Sequence, residues 1–188
     1  MKPRIEPQSL DDADTPTREL FDRIPEPMRT LNVFRTFARH PDLMRPWLAF
    51  GGYLLLASTL EPRLRELVVL RVGWQCRSPY EWGQHVIIGR KSGVLDSELQ
   101  RVTLGPDAEG WSAAEAGALR ATDELINRHT LSDATWAELT SHFTTKQILD
   151  LLFLVGQYQL VASALNALRI ERDDGLAADE VPFPTPVE

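Results

Sequence analysis

The densest group of side chains able to do chemistry in this 188-residue chain lies between Glu66 and His85. Its centre reads Cys76-Arg77-Ser78-Pro79-Tyr80-Glu81-Trp82-Gly83-Gln84-His85. Glu81 precedes His85 by one helical turn, and positions four apart share a helix face, so the two meet without help from the rest of the fold. Imidazole titrates near neutrality and a neighbouring carboxylate fixes its tautomer and charge, which is the equipment of acid–base catalysis. Glu66 brings a second carboxylate from the preceding apolar segment. Val69-Leu70 and Gly73 share its helical face, so the carboxyl points into apolar surroundings, where burial raises a carboxyl pKa.

Each of these residues also has a plainer use. Ser78-Pro79-Tyr80-Glu81 is a helix-start signature, with Ser as N-cap, Pro at the first position and Glu at the third, and in that role Glu81 only closes the cap. His85, beside Val86, Ile87 and Ile88, fits a packed and satisfied core histidine. Glu66 lies within helical reach of Arg63, Arg65 and Arg71 for an ion pair. Cys76 reads as a small buried hydrophobe, with a reactive thiol as its alternative. His40 and His129 fall at expected helix C-termini, where they offset the helix dipole. Glu81 and His85 supply two donors at helical spacing, but there is no His-Glu-x-x-His motif or cysteine cluster, so no metal site is expected. No glycine-rich phosphate loop or Gly-x-Ser-x-Gly elbow occurs.

The elements that position these groups read as helices throughout. A short helix is expected over Thr17 to Arg23, ended by Ile24-Pro25-Glu26-Pro27, because proline offers no amide and disfavours helix before it. Helical spacing resumes from Met28 to Phe37 and stops at His40-Pro41. A further helix runs from about Asp42 to Ser58, weakened by Gly51-Gly52. Arg63 to Gln75 follows with Pro62 in its first turn. The helix opened by Ser78 runs to Ser92-Gly93, where glycine closes it in a left-handed conformation. Asp96 caps a short helix, Ser112-x-x-Glu115 opens one to about His129, and Ser132 starts another. Thr144 or Thr145 caps a long apolar helix from Lys146 to Ala167. Alternation never persists as a strand would require. The expectation is an all-α single-domain bundle of about eight or nine helices. An extended arm (1–15) precedes the helical domain (16–172), and an extended proline-containing tail (173–188) follows it.

Composition narrows the class. Hydrophobic residues make up 43% and charged residues 25%, an ordinary globular profile. The net charge of −7 argues against nucleic acid as a partner. The apolar runs fall short of the ~20 residues that span a bilayer, so no membrane partner is expected. The amino terminus lacks the apolar core of a signal peptide, and the lone cysteine suits a reducing compartment; a cytoplasmic location is the expectation.

Arg65-Glu66-Leu67-Val68-Val69-Leu70-Arg71-Val72-Gly73, then Tyr80-Glu81-Trp82-Gly83-Gln84-His85, with Gly89 and Gly93 after them, resemble the carboxymuconolactone decarboxylase family, which includes the alkylhydroperoxidase D-like proteins. Asp150-Leu151-Leu152 through Gly156-Gln157-Tyr158 is also similar, and the likeness extends over about residues 30 to 170. The redox branch of that family carries Glu, Cys-x-x-Cys and His. Aligned on His85, its acid falls on Glu66 and its cysteines on Ser78 and Glu81, so this chain lacks both sulfurs. A disulfide route needs a thiolate and a resolving thiol. The Glu-Trp-x-x-His form is similar to the decarboxylase branch.

What the resemblance implies is a lyase or isomerase without a cofactor, moving protons on a small anionic or lactone-like molecule. His85 would be the main acid–base group, Glu81 its orienting partner and Glu66 a second relay acid. Arg71 would hold a substrate carboxylate, and Tyr80, Trp82 and Tyr158 would line the pocket. A homo-oligomer is implied too. Two other functions remain open: a peroxide or thiol oxidoreductase using Cys76 alone, and an oligomeric binding protein without chemistry.

Overall fold

The computed structural model describes residues 2–26, 28–174 and 182–184, and among them regular structure is wholly helical. In chain order the helices are α1 (Thr15–Phe21), α2 (Asn32–Phe37), α3 (Pro41–Leu56), α4 (Pro62–Gln75), α5 (Pro79–Lys91), α6 (Asp96–Leu104), α7 (Ala113–Arg128), α8 (Asp133–His142) and α9 (Thr145–Leu168). A single 3-10 turn, Met28–Thr30, precedes α2.

The boundaries follow local chemistry. Asp14 accepts from the Thr17 amide and starts α1 earlier than the sequence suggests. Ser112 and Thr144 form reciprocal boxes with Glu115 and Gln147 at the heads of α7 and α9. Two capping expectations fail. Leu95, not Asp96, is the N-cap of α6. His40 caps the N-terminus of α3 through Nδ1, which accepts from the Leu43 amide, so it does not offset a C-terminal dipole. His129 does end α7, in a left-handed conformation with φ +59°. Of the Ile24–Pro27 turn, Pro27 lies outside the described residues, as does most of the tail beyond Asp174.

Helix α4 is the axis of the molecule. Every residue from Glu66 to Gly73 is buried, and α5, α6, α7 and α9 pack around it. A helix enclosed on all sides carries no amphipathic stripe, in keeping with the continuous apolar run of α4. Val68, Val69 and Val72 pack with Leu139, Leu151, Leu154 and Val155 on one side. Leu67 and Leu70 pack with Trp82, Val86, Val102 and Leu119 on the other. A third cluster joins α1, α2 and α3 to Tyr80, Val161 and Leu165. Helix α9 is long and apolar enough to cross a membrane, but 56% of that stretch is buried inside the fold, as in a core helix. The N-terminal arm lies along this body through Arg4 N–H to Leu168 O and Gln8 N–H to Arg35 O.

Candidate active site

The turn between α4 and α5 sets the site. Arg77 takes a positive φ of 50°, the Ser78 amide returns to Gly73 O, and α5 starts antiparallel to α4. A Cβ on Gly73 would lie 3.4 Å from the Trp82 amide and 3.6 Å from the Glu81 side chain, ordinary contact distances that place the start of α5 directly against α4. This close crossing brings Glu66 against His85.

Glu66 is fully buried, and its Oε2 lies 2.7 Å from His85 Nδ1. Its other oxygen accepts from Arg65 Nε at 3.1 Å. His85 Nε2 faces Glu81 Oε1 at 3.3 Å, a looser contact within α5. Glu81 is therefore not a cap: no side-chain capping bond forms at Ser78, whose hydroxyl is buried with no partner among the described residues. Tyr158 presents its ring edge-on to the imidazole, with centroids 4.9 Å apart. Two acids and one imidazole thus form a continuous line, Glu66–His85–Glu81, and both ring nitrogens face a carboxylate.

The electrostatics follow. Burial works against a charged imidazole, but Glu66 and then Glu81 outweigh it and hold the His85 pKa up at about 9. Burial also raises the Glu66 carboxyl, yet His85 and Arg65 together bring it below the ordinary carboxylate value. The sequence expectation of an elevated Glu66 is corrected accordingly: its partners win over desolvation. The resting site is an imidazolium between two carboxylates. Burial and the charge of Glu81 push the Cys76 thiol upward, which disfavours thiolate. Cys76 ends α4, half-buried against the Val68–Leu151 cluster. Burial keeps the Tyr158 phenol protonated.

One wall of a cavity of about 440 Å³ is formed by Glu81, His85 and Tyr158. Apolar side chains dominate the remainder: Phe34, Trp47, Leu48, Leu55, Ile88, Val161 and Leu165 among them. Asp173 fixes one end. It accepts from Tyr80 Oη, from Gln84 Nε2 at 2.8 Å and from the Asn32 amide at 2.7 Å, tying α5 to the head of α2.

The expected site residues divide. Glu66, Glu81, His85 and Tyr158 come together, and Tyr80 lines the cavity with its hydroxyl committed to Asp173. Arg71 does not line it. Its Nε and Nη2 grip Asp123 at 2.7 and 2.8 Å, and Nη1 donates to Val102 O and Thr103 O. Trp82 turns away from the cavity to pack on Trp74 and Phe183. Sequence reasoning missed Trp47, the Gly51-Gly52 pair, Lys91 and Gln157, all of which line the space. Gln157 left only a weak signal, as one of two glutamines, with Gln159, in the apolar run of α9. Among the described residues, no group of three or more His, Cys, Asp or Glu side chains is arranged to hold a metal ion.

The sequence model of the Carboxymuconolactone decarboxylase family matches residues 41–124, the stretch holding Glu66, Glu81 and His85. No curated protein matches the chain. Solved structures with the same fold include an alkylhydroperoxidase AhpD core described as an uncharacterized peroxidase-related protein from Ralstonia eutropha JMP134. It shares 19% identity over 97% of this chain and 98% of that one, with a TM-score of 0.79. A peroxidase-related protein from Silicibacter sp. TM1040 shares 17% identity over 94% and 96%, with a TM-score of 0.78. A cysteine-to-alanine variant of the debrominase Bmp8, in complex with 2,3,4-tribromopyrrole, shares 14% identity over 96% and 98%, with a TM-score of 0.77. At these identities the likeness is one of fold.

Proposed function

We propose that this chain, whose residues 41–124 match the carboxymuconolactone decarboxylase family model and whose fold is that of an AhpD core, is a sulfur-independent enzyme moving protons on a small organic molecule. The observation that carries this reading is the Glu66–His85–Glu81 line ending in the wall of an apolar cavity. Glu81, a carboxylate on that wall, takes a proton from the substrate. His85, charged up to about pH 9, donates one to an adjacent atom, and Glu66 stabilises the imidazolium from behind. The apolar surroundings strengthen each of these interactions. An isomerisation or tautomerisation, in which a proton leaves one atom and returns at another, uses all three groups. Decarboxylation asks for a cation to grip the substrate carboxylate, and among the described residues the lining offers only the exposed Lys91 besides His85, with no arginine.

The other two readings have less support. Cys76 lies off the cavity lining with its thiol pKa raised, which does not favour peroxide chemistry. A scaffold without chemistry would leave its acids paired to arginines alone, whereas both acids here converge on His85.

The test is deuterium uptake from heavy water into a panel of small lactones and enolisable ketones, followed by NMR. Wild-type protein should catalyse exchange in at least one of them. Glu81→Gln and His85→Gln should each reduce that exchange roughly 10²- to 10⁴-fold. Exchange that survives both substitutions sinks the relay.

We extend the reading to a homo-oligomer in the cytoplasm. Leu43 and Phe50 on α3, with Leu149, Phe153 and Leu160 on α9, leave two apolar stripes exposed, joined where the Phe50 and Phe153 rings meet at 6.0 Å. Apolar area of this kind favours burial against a second copy. Phe153→Asp should lower the mass measured by light scattering; an unchanged mass counts against this face.

A further inference from the structure

The cavity holds a buried amide that the relay does not use. Gln157, on α9, is only 7% exposed and lines the cavity, yet its carboxamide has no hydrogen-bond partner among the described residues. Its polar atoms are not sealed in the core but reach the cavity, so they are open to a ligand's hydrogen-bonding group. The backbone makes room for it: a Cβ on Gly51 would stand 3.3 Å from Gln157 Nε2.

The charge inventory of the wall limits what the amide can meet. Glu66 and Glu81 balance Arg65 and His85, and both imidazole nitrogens already face carboxylates. The remaining cation, Lys91, is an exposed residue of the lining, where solvent screens it. A carboxylate entering the cavity would lie beside Glu81 with no free buried cation to meet it, and a desolvated, unpaired anion is costly.

Resting on the relay reading and deepening it, we propose that the cavity takes an uncharged, mainly apolar molecule with one hydrogen-bonding group, and that Gln157 is the positioning residue that holds that group. The amide offers a donor and an acceptor, so a hydroxyl or a carbonyl suits it equally. The volume accommodates a one- or two-ring molecule.

Isothermal titration calorimetry at pH 7 with 2-naphthol, 2-naphthoate and 2-methylnaphthalene tests this, since the three share a shape and differ in charge and hydrogen bonding. We expect 2-naphthol to bind at least tenfold more tightly than 2-naphthoate. Gln157→Leu should weaken 2-naphthol roughly three- to tenfold, the loss of one hydrogen bond, and leave 2-methylnaphthalene within twofold. Gln157→Met serves if the leucine variant fails to fold. Naphthoate binding as tightly as naphthol overturns the proposal, and so does a naphthol affinity indifferent to both variants, or no binding of any probe. Lys91→Gln removing a strong naphthoate signal would assign the cavity to anions instead. These readouts need no turnover. A relay that fails the exchange test while naphthol selectivity persists leaves the binding assignment intact, and the converse result overturns the binding proposal while leaving the relay intact.

Discussion

Helix α4 carries two buried ionisable side chains, Glu66 and Arg71, five positions apart on opposite sides of its axis. Arg71 has a partner on each of its three nitrogens: Asp123 accepts from Nε and Nη2, Val102 O and Thr103 O accept from Nη1, and Asp123 also accepts from Gln75 Nε2 at 2.9 Å. Gly105, at φ +101°, seals the arrangement, since a Cβ there would lie 3.0 Å from Arg71 Nη2. On the other side, the line from Glu66 through His85 ends in the looser 3.3 Å contact with Glu81, facing open space beside an unpaired amide. The two clusters use the same chemistry for different ends. A buried polar group with every partner in place holds a fold together, and one left partly unsatisfied at the edge of a cavity is available to a substrate.

The contrast can be broken most severely at Arg71. Arg71→Ala strands Asp123 and should cost about 3–5 kcal/mol, read from denaturant unfolding. The pH profile of any residual activity should not move. A shifted profile would mean that Arg71 acts on the relay after all.

Glu66→Gln sharpens the other side. Losing the carboxylate that most supports the imidazolium should bring the His85 pKa down from about 9, visible as an earlier alkaline fall of activity and in imidazole NMR titration. Linkage gives the stability counterpart. Because the folded-state His85 pKa lies above its unfolded value of 6.5, its contribution is full below pH 6.5 and disappears as pH rises through about 9. The Glu66 pKa lies below its unfolded value of 4.5, so its contribution is present above that pH and is lost under acid. Wild-type protein should therefore lose stability between pH 6.5 and 9, and Glu66→Gln should lose less over that range. Equal slopes in the two proteins would remove the charged pair from the account.

The smallest effect is expected at Cys76. Cys76→Ser, at a half-buried position, should change stability by about 1 kcal/mol or less and leave proton exchange untouched. A large loss of exchange would move the chemistry to sulfur.

Much of the site was legible because it is local. The spacing of Glu81 and His85 places them together on any helix, and the turn residues Ser78 and Pro79 mark where that helix begins. Legibility stopped at pairs of residues that share a sequence pattern but not a direction. Trp82 is adjacent to Glu81 and 100° further around α5, which carries it to Trp74 and away from the cavity. The Ser78–Glu81 box is a strong cap signal, yet a nearby imidazolium competes for the same carboxylate and wins. Arg71 illustrates the same limit: its availability depended on Asp123, fifty-two residues later, which no local reading brings near.

What the sequence settled by itself was the helical character of the chain, most helix ends and the Glu81–His85 pair, since caps, prolines and the three-to-four-residue period act over a few residues. The crossing of α4 and α5 at Gly73, the burial of Glu66 against the imidazole, the commitment of Arg71 to Asp123 and the unpaired amide of Gln157 were decided by tertiary structure. Each depends on what desolvates a group and which distant partner reaches it first, and those energies exist only once the helices have packed.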